Sequence, residues 1–207
     1  MKLKKTVKRN LIIIGIIVIL VLGIFAYIKF YPKEKVKEVK IVNKIEKYGY
    51  KLKDNKPTKY KNMFKELKEI LTAKNIDEES YVKKITEMYI YDFYSLDDKT
   101  AKTDVGGVDF VYEKALDNYL LIAEDTYYKY VESNIYNNRK QLLPIVSEIT
   151  IDSVERVPFA YAEETDEEAY KVKASWTYTD ETFNDYQKEA TLIFIHDGIK
   201  LSLVELK

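Results

Sequence analysis

The N-terminal part of the chain contains one uninterrupted apolar run. Residues from Leu11 to Tyr27 include no charged side chain. Seventeen helical residues rise by about 25 Å at ~1.5 Å each, close to the ~30 Å hydrocarbon core of a bilayer. In lipid the backbone must satisfy its own hydrogen bonds, which favours a helix. We therefore predict a transmembrane anchor over residues 11–31, with Phe30 and Tyr31 at one interface.

The residues before this run predict its orientation. Residues 1–10 carry four lysines and Arg9 but no acid, which is the positive-inside pattern of a cytoplasmic tail. The predicted location is therefore the cell membrane, as a single-pass protein with its N-terminus in the cytoplasm and its C-terminal domain outside. A cleaved signal peptide is the alternative, with a marginal site at Ile24-Phe25-Ala26; the length of the run favours an uncleaved signal-anchor.

Three stretches after residue 58 place apolar side chains at helical spacing. The first helix is predicted over residues 59–74, and the second runs from a capping Asp77 to about Tyr94. The third is predicted over residues 108–134, after Gly106-Gly107, which marks a turn needing either positive φ or a close backbone approach. The apolar positions of the first two helices are Tyr60, Met63, Phe64, Leu67, Ile70, Leu71, Tyr81, Val82, Ile85, Met88 and Tyr89.

The last third of the chain changes to alternating periodicity. A strand is predicted near residues 145–152, the clearest one over residues 170–178, and another over residues 188–196. Asp197-Gly198 then indicates a hairpin into a fourth strand. Helices followed by strands predict an α+β class: an N-terminal transmembrane helix, then three helices packed on a curved antiparallel sheet of about four strands. We assign this extracytoplasmic domain to residues 59–207.

The order of elements resembles two families. Helices followed by a curved sheet that ends in an Asp-Gly hairpin resemble the nuclear transport factor 2-like (cystatin-like) cone fold. With a basic tail and a single anchor, the layout resembles the bitopic core subunit of type IV secretion and conjugation channels, and Tyr81-Val82 with Tyr89 and Asp92 is similar to a helix of that family. That resemblance implies an assembly role in an envelope channel.

A second resemblance is carried by short segments. These are similar to an uncharacterised group of membrane-anchored proteins from low-GC Gram-positive bacteria, which implies no function. The segments are Glu46-Lys47-Tyr48-Gly49-Tyr50-Lys51-Leu52, Asp92-Phe93-Tyr94-Ser95-Leu96 and Asp104-Val105-Gly106-Gly107.

Charge is balanced overall but not along the chain. The 34 basic and 34 acidic residues cancel, so nucleic acid is not an expected partner. Residues 32–62 nevertheless hold eleven lysines against four acids, whereas residues 148–207 hold fourteen acids against six bases. The basic stem, residues 32–58, is either a solvated surface, which we favour, or a contact for anionic lipid or wall polyanions.

The candidate chemistry is sparse. Without Cys and with one His, the chain excludes disulfides, thiolate zinc sites and sites with two imidazoles. His196 is interpreted as a surface residue. Asp92 either points into a cavity with a raised pKa or, as we favour, lies on the polar side of its helix. The acidic run 163–168 is interpreted as a solvated loop rather than a Ca²⁺ site. We predict no catalytic, cofactor-binding or metal-binding residue.

These observations lead to a ranked set of functions. The first is a non-enzymatic, membrane-anchored interaction or assembly module of an envelope complex, with protein partners or further copies of itself. The alternative is a sensor whose Tyr-lined cone cavity binds a small ligand. A closed apolar pocket of about 300 Å³ or more would favour it, and a cone filled by side chains would count against it. The third is a cone-fold enzyme, which would need a buried carboxylate such as Asp92 beside a tyrosine hydroxyl.

Overall fold

The computed structural model describes residues 20–25 and 39–207. Residues 20–25 are helical and belong to a unit of residues 1–37, and residues 38–207 form a second compact unit. Within the described ranges, no helix combines the length and the apolar character that crossing a membrane requires. The tail 1–10 and most of the predicted anchor 11–31 lie outside the described residues.

Two helices form as their periodicity predicts. Helix α1, Thr58–Thr72, buries the stripe that begins with Tyr60 and ends with Leu71. Helix α2, Glu78–Tyr94, begins where the Asp77 carboxylate accepts a hydrogen bond from the backbone N–H of Glu79. This side-chain cap satisfies one of the amides that the first turn leaves unpaired.

Helix α2 is the centre of the fold. Eleven of its seventeen residues are buried, around most of its circumference, because it is packed between α1 and the sheet. A helix enclosed in this way needs no continuous polar face, which accounts for the aromatic and aliphatic side chains on all its sides. It therefore determines the position of the polar groups that its last turns carry.

The third predicted helix is much shorter than residues 108–134. Only α3, Leu116–Asp125, is α-helical, preceded by two 3₁₀ turns. Before it, Val111 pairs with the last strand and the Tyr112 N–H donates to Leu203 O at 2.8 Å, which holds this segment extended. After it, the buried Tyr128 hydroxyl donates to Phe93 O at 2.7 Å. These tertiary hydrogen bonds override the helical periodicity at both ends.

The predicted four-stranded antiparallel sheet is confirmed, and with it the α+β class. The strands follow one another in the order β3 (Val146–Tyr161), β4 (Glu164–Tyr178), β5 (Glu189–Asp197) and β6 (Lys200–Leu206). Register shifts in the β3–β4 and β5–β6 pairs mark bulges, which bend a sheet. The alternating positions from Tyr170 to Tyr178 are buried as predicted.

The acidic run 163–168 corrects the prediction of a loop. The turn between β3 and β4 occupies only Ala162 and Glu163, and Ala162 has a φ of 49°. The remaining acids, Glu164 to Glu168, lie in β4 and pair with the end of β3. They are strand residues because they continue the β3–β4 ladder, in which Phe159 and Tyr161 are partly buried while most of the acids are exposed.

The basic segment before α1 contains a β-hairpin. Strand β1 (Ile41–Ile45) pairs antiparallel with β2 (Tyr50–Lys53). The hairpin buries Ile45, Tyr48, Tyr50 and Leu52 in the main core. The Tyr50 hydroxyl lies 2.6 Å from that of Tyr81 on α2. The compact unit therefore starts at residue 38, and this part of the predicted stem belongs to the domain.

Candidate binding cleft

An aromatic cluster joins the end of α2 to α3 and to the loop after α3. Phe93 is at its centre, because the last turns of α2 face both α3 and the sheet. Its ring centroid lies 4.9–5.7 Å from those of Tyr89, Tyr94, Tyr119, Tyr127 and Tyr128. Pairs at such distances add to the stability gained from burial alone. The cluster makes a rigid base for the surface above it.

A cleft of about 650 Å³ lies over this base, between α3 and the edge strand β6. Its walls are predominantly aromatic and aliphatic. The cleft is open to solvent, since Ile122 in its α3 wall is 53% exposed. Its size is within the range of small-molecule sites, ~300–1,000 Å³. The main apolar lining residues are Phe93, Tyr94, Tyr119, Ile122, Leu203 and Leu206.

Two of the three cleft tyrosines, Tyr119 and Tyr127, use their hydroxyls within the protein. Tyr119 OH donates to Gly106 O at 2.7 Å, and Tyr127 OH lies 3.1 Å from Tyr178 OH. Burial raises the pKa of both Tyr119 and Tyr127, so neither ionises near neutrality. These two tyrosines therefore offer mainly ring carbons to the cleft, whose further polar lining residues are Asn118, Thr126, Gln187 and Glu205.

The Gly106-Gly107 turn packs directly against the end of α2. A Cβ at Gly106 would lie 2.0 Å from the carbonyl oxygen of Asp92, and Gly107 has a φ of 75°. The turn thus meets both predicted requirements, one at each glycine. The carbonyl oxygen of Gly106 accepts a hydrogen bond from Tyr119 OH, and the N–H of Gly106 donates one to Tyr128 OH at 3.0 Å.

The prediction that Asp92 lies on a polar helix face is wrong. Asp92 is only 7% exposed and accepts hydrogen bonds from Lys56 Nζ, from Lys99 Nζ at 2.9 Å and from Gly107 N at 2.9 Å. Asp98 completes the group, with Lys99 Nζ at 2.6 Å and Lys56 Nζ at 3.8 Å. Two lysines and two aspartates thus form a neutral network at the side of α2.

The network shifts the pKa values of Asp92 and Lys99. Burial alone would raise the pKa of Asp92, but the ammonium groups of Lys99 and Lys56 outweigh it and hold that pKa well below its usual range. Burial alone would lower the pKa of Lys99, but Asp92 and Asp98 raise it. The pKa of Asp92 is therefore shifted opposite to the raised value a general base would need.

His196 lies near the end of β5 and is fixed by an acid of the neighbouring strand. Asp166 Oδ2 accepts a hydrogen bond from His196 N at 2.7 Å and lies 2.8 Å from its Nδ1. The other ring nitrogen, Nε2, lies 3.7 Å from Glu78 Oε2. Burial would raise the pKa of Asp166, but hydrogen bonds from His196 N and Glu168 N lower it. His196 and Asp92 are therefore in different places, each with its own partners.

Sequence reasoning missed the lysines of the network and the α3–β6 cleft. Lys56 lies before α1 and Lys99 in the loop after α2, so no periodicity links them to Asp92. Within residues 20–25 and 39–207, no three His, Cys, Asp or Glu side chains are grouped so that they could hold a metal ion.

Comparisons with known proteins found no match for this chain. No protein-family model matches it. No curated protein and no solved structure matches it either. The cone-fold and channel-subunit resemblances therefore stay predictions.

Proposed function

We propose that this chain is a single-pass, membrane-tethered binding module of the cell envelope, without enzymatic activity, whose α3–β6 cleft receives an apolar segment of a partner protein. The tether is supported by the uncharged run Leu11 to Tyr27 after a basic tail. An assembly role of the kind found in conjugation or secretion channels is compatible with this arrangement.

The observation that carries the proposal is the cleft and its surroundings. Ile122 lines the cleft at 53% exposure, and the adjacent Leu121 on α3 is 62% exposed. Together they extend the apolar surface beyond the cleft. Extended apolar surface of this kind is typical of sites for protein partners. A small ligand held inside the cleft would leave Leu121 in water.

The binding rather than catalytic role is supported by how the two candidate catalytic groups are held. Asp92 is ionised and bound by two ammonium groups and an amide, so it has little capacity left to take a proton from a substrate. His196 is engaged by Asp166 and lies in another part of the molecule. Neither group lines the cleft.

A small-molecule sensor is the second candidate, and one observation favours it. Four aromatic rings line the cleft, those of Phe93, Tyr94, Tyr119 and Tyr127, and its volume of about 650 Å³ would accommodate a drug-sized molecule. Such a ligand would be predominantly apolar, because the hydroxyls of Tyr119 and Tyr127 are engaged within the protein.

Site-specific photo-cross-linking of the full chain in its native membrane tests the proposal. A benzophenone side chain replaces Ile122 in one variant and Ile199 in the other; both positions are 53% exposed, but Ile199 lies at the β5–β6 turn. We expect a discrete protein adduct from position 122 and none from 199. A doubled chain mass would identify a second copy as the partner.

Charge substitution provides the matched control. With the cross-linker at Asn118, which also lines the cleft, Ile122→Asp should abolish the adduct and Ile199→Asp should leave it intact. An adduct of small mass would favour the sensor. A monomeric chain without any adduct from positions 118 and 122 would contradict binding at the cleft.

A further inference from the structure

The β1–β2 hairpin has one buried and one exposed face. Ile45 pairs with Tyr50 and both are buried, so the next pair along the strands, Lys44 with Lys51, points to the opposite side. Lys53 pairs with Ile41 on that exposed side. We call the exposed side chains of this region the basic hairpin face: Val39, Ile41, Val42, Lys44, Lys51 and Lys53.

The fold does not neutralise the charges of Lys44 and Lys51, whereas the Lys53 ammonium acts on the half-buried carboxylate of Asp109. Lys44 and Lys51 are directly opposite each other, an arrangement of like charges that destabilises a strand pair. Among the described residues, Lys51 makes no salt bridge, and the acid nearest to Lys44 is the exposed Glu46 at 3.9 Å. Folding therefore gains nothing from this pair, which favours a role with a partner that carries negative charge.

Aliphatic side chains accompany the lysines. Val39, Ile41 and Val42 are 45%, 48% and 57% exposed. Ile41 and Val42 lie in β1, so their exposure results from the position of the strand at the edge of the domain. Exposed aliphatic groups among lysines are complementary to a partner surface whose outer layer is charged and whose next layer is apolar.

We propose that the basic hairpin face lies on a membrane surface containing anionic phospholipid. Lys44, Lys51 and Lys53 contact the phosphates, and the aliphatic groups of Val39, Ile41 and Val42 enter the headgroup layer. The inference rests on the proposed membrane tether, because residue 39 follows closely on the predicted anchor 11–31 in the sequence. The contact would fix the orientation of the domain and of its cleft above the bilayer.

The aliphatic residues decide between a membrane and a soluble polyanion. A wall polymer presents phosphates to the lysines but no apolar layer, so it would leave Val39, Ile41 and Val42 in water. A lipid surface satisfies both sets of side chains. Each lysine close to such a surface strengthens the contact about fivefold.

A single-cysteine fluorophore on the full chain tests the contact. The chain has no Cys, so Val42→Cys labels the face alone and Glu163→Cys labels the distant β3–β4 turn. The labelled chains are reconstituted in vesicles of phosphatidylcholine, with or without one quarter phosphatidylglycerol. At position 42 in the anionic vesicles, we expect the fluorophore's emission to shift to the blue and to be quenched by a lipid-borne quencher, and high salt should reverse both changes. At position 163 we expect neither change.

Removing the charges provides the decisive variant. In Val42→Cys, adding Lys44→Gln with Lys51→Gln should reduce the equilibrium constant for contact by about an order of magnitude or more. The matched pair Lys171→Gln with Lys173→Gln, on β4, should leave it unchanged. Equal signals in neutral and anionic vesicles, or a label that stays in water in both, would overturn the proposal.

An alkaline wash separates this inference from the tether. The label is measured first, and retention of the chain in the vesicles is measured afterwards. A chain that is retained while its label at position 42 stays in water overturns the surface contact alone. A chain that the wash releases contradicts the membrane tether of the proposed function. A last arm adds soluble polyphosphate to the chain in neutral vesicles and measures acetylation of Lys44. If polyphosphate protects Lys44 while the label shows no lipid contact, the partner is a polyanion and the lipid assignment is overturned.

Discussion

Two pairs of lysines in this domain have opposite electrostatic environments. Lys56 and Lys99 converge on Asp92, and the side chain of Lys99 is only 1% exposed. Lys44 and Lys51 also face each other, but across a two-stranded sheet, and the side chain of Lys44 is 45% exposed. The first pair is neutralised by aspartates within the fold. The second pair has no comparable acid in the part of the chain that the structure describes.

The difference indicates what each pair is for. A buried ammonium is tolerated only when its charge and hydrogen bonds are satisfied, so Lys99 must be integral to folding. An exposed like-charge pair costs little in water, but it also contributes nothing to stability. The first pair should therefore be sensitive to substitution in unfolding experiments, and the second in binding experiments.

The largest effect is expected from Asp92→Asn. The substitution removes the negative charge that two ammonium groups share, while Lys99 remains buried. Removing one partner of a buried ion pair costs about 3–5 kcal/mol, and because Asp98 stays in place we expect about 3 kcal/mol. The fluorescence of Trp176, the one tryptophan and a buried one, reports unfolding of the full chain in detergent during a urea titration.

Asp117→Asn is the matched control for this substitution. Asp117 is exposed on α3 and makes no salt bridge among the described residues, so the change should stay within about 0.5 kcal/mol. If both variants shifted the urea midpoint equally, the network around Asp92 would not have the structural importance assigned to it.

Acid should weaken the same network progressively. The pKa of Asp92 is lower in the folded chain than in the unfolded one, where it is about 3.9. Its contribution is therefore fully present above pH ~4 and is lost as the pH falls towards the folded-state pKa. Because that pKa is so low, only part of the loss develops in the accessible range, and the effect is smaller than that of the substitution.

Comparison with Asp92→Asn isolates this titration from that of other carboxylates. The difference in unfolding free energy between the natural chain and the variant should be constant from pH 5 to 7, and it should shrink between about pH 4 and 2. Parallel profiles over the whole range would mean that the pKa of Asp92 is the same in the folded and the unfolded chain.

Local patterns predicted most of the elements that depend on burial of one face. The α1 stripe and the alternation from Tyr170 to Tyr178 were readable because each periodicity is repeated over several turns or residue pairs. The third helix was overestimated, since Tyr128 and Tyr112 are held by partners far along the chain. Periodicity cannot distinguish a helical stripe from aromatic residues fixed by tertiary hydrogen bonds.

The candidate sites were less predictable than the elements. Asp92 is a candidate from the sequence alone, but its environment depends on Lys99 in a loop and on Lys56 before α1. Because aspartate generally prefers the surface, the sequence favours an exposed helix face for Asp92, whereas the residue is buried. The two glycines were the one local signal of that site, because a close backbone approach leaves a compositional trace. The cleft depends on how α3 meets β6, which no single segment encodes.

The smallest change in unfolding free energy is expected at the exposed lysines, and it is a gain where Asp92→Asn gives a loss. Lys51→Glu places a carboxylate opposite Lys44, so the hairpin should gain about 0.2–1 kcal/mol in unfolding free energy. Lys53→Glu introduces the same charge opposite Ile41 and removes a cation that favours ionised Asp109, so it should gain nothing. Both variants should nevertheless weaken contact with anionic vesicles, because both lysines belong to the basic hairpin face. A substitution that stabilises the domain while it weakens the membrane contact would show that this lysine serves the surface rather than the fold. If Lys51→Glu destabilised the domain by more than Lys53→Glu, then Lys51 would have a structural partner, and the contrast with Lys99 would fail.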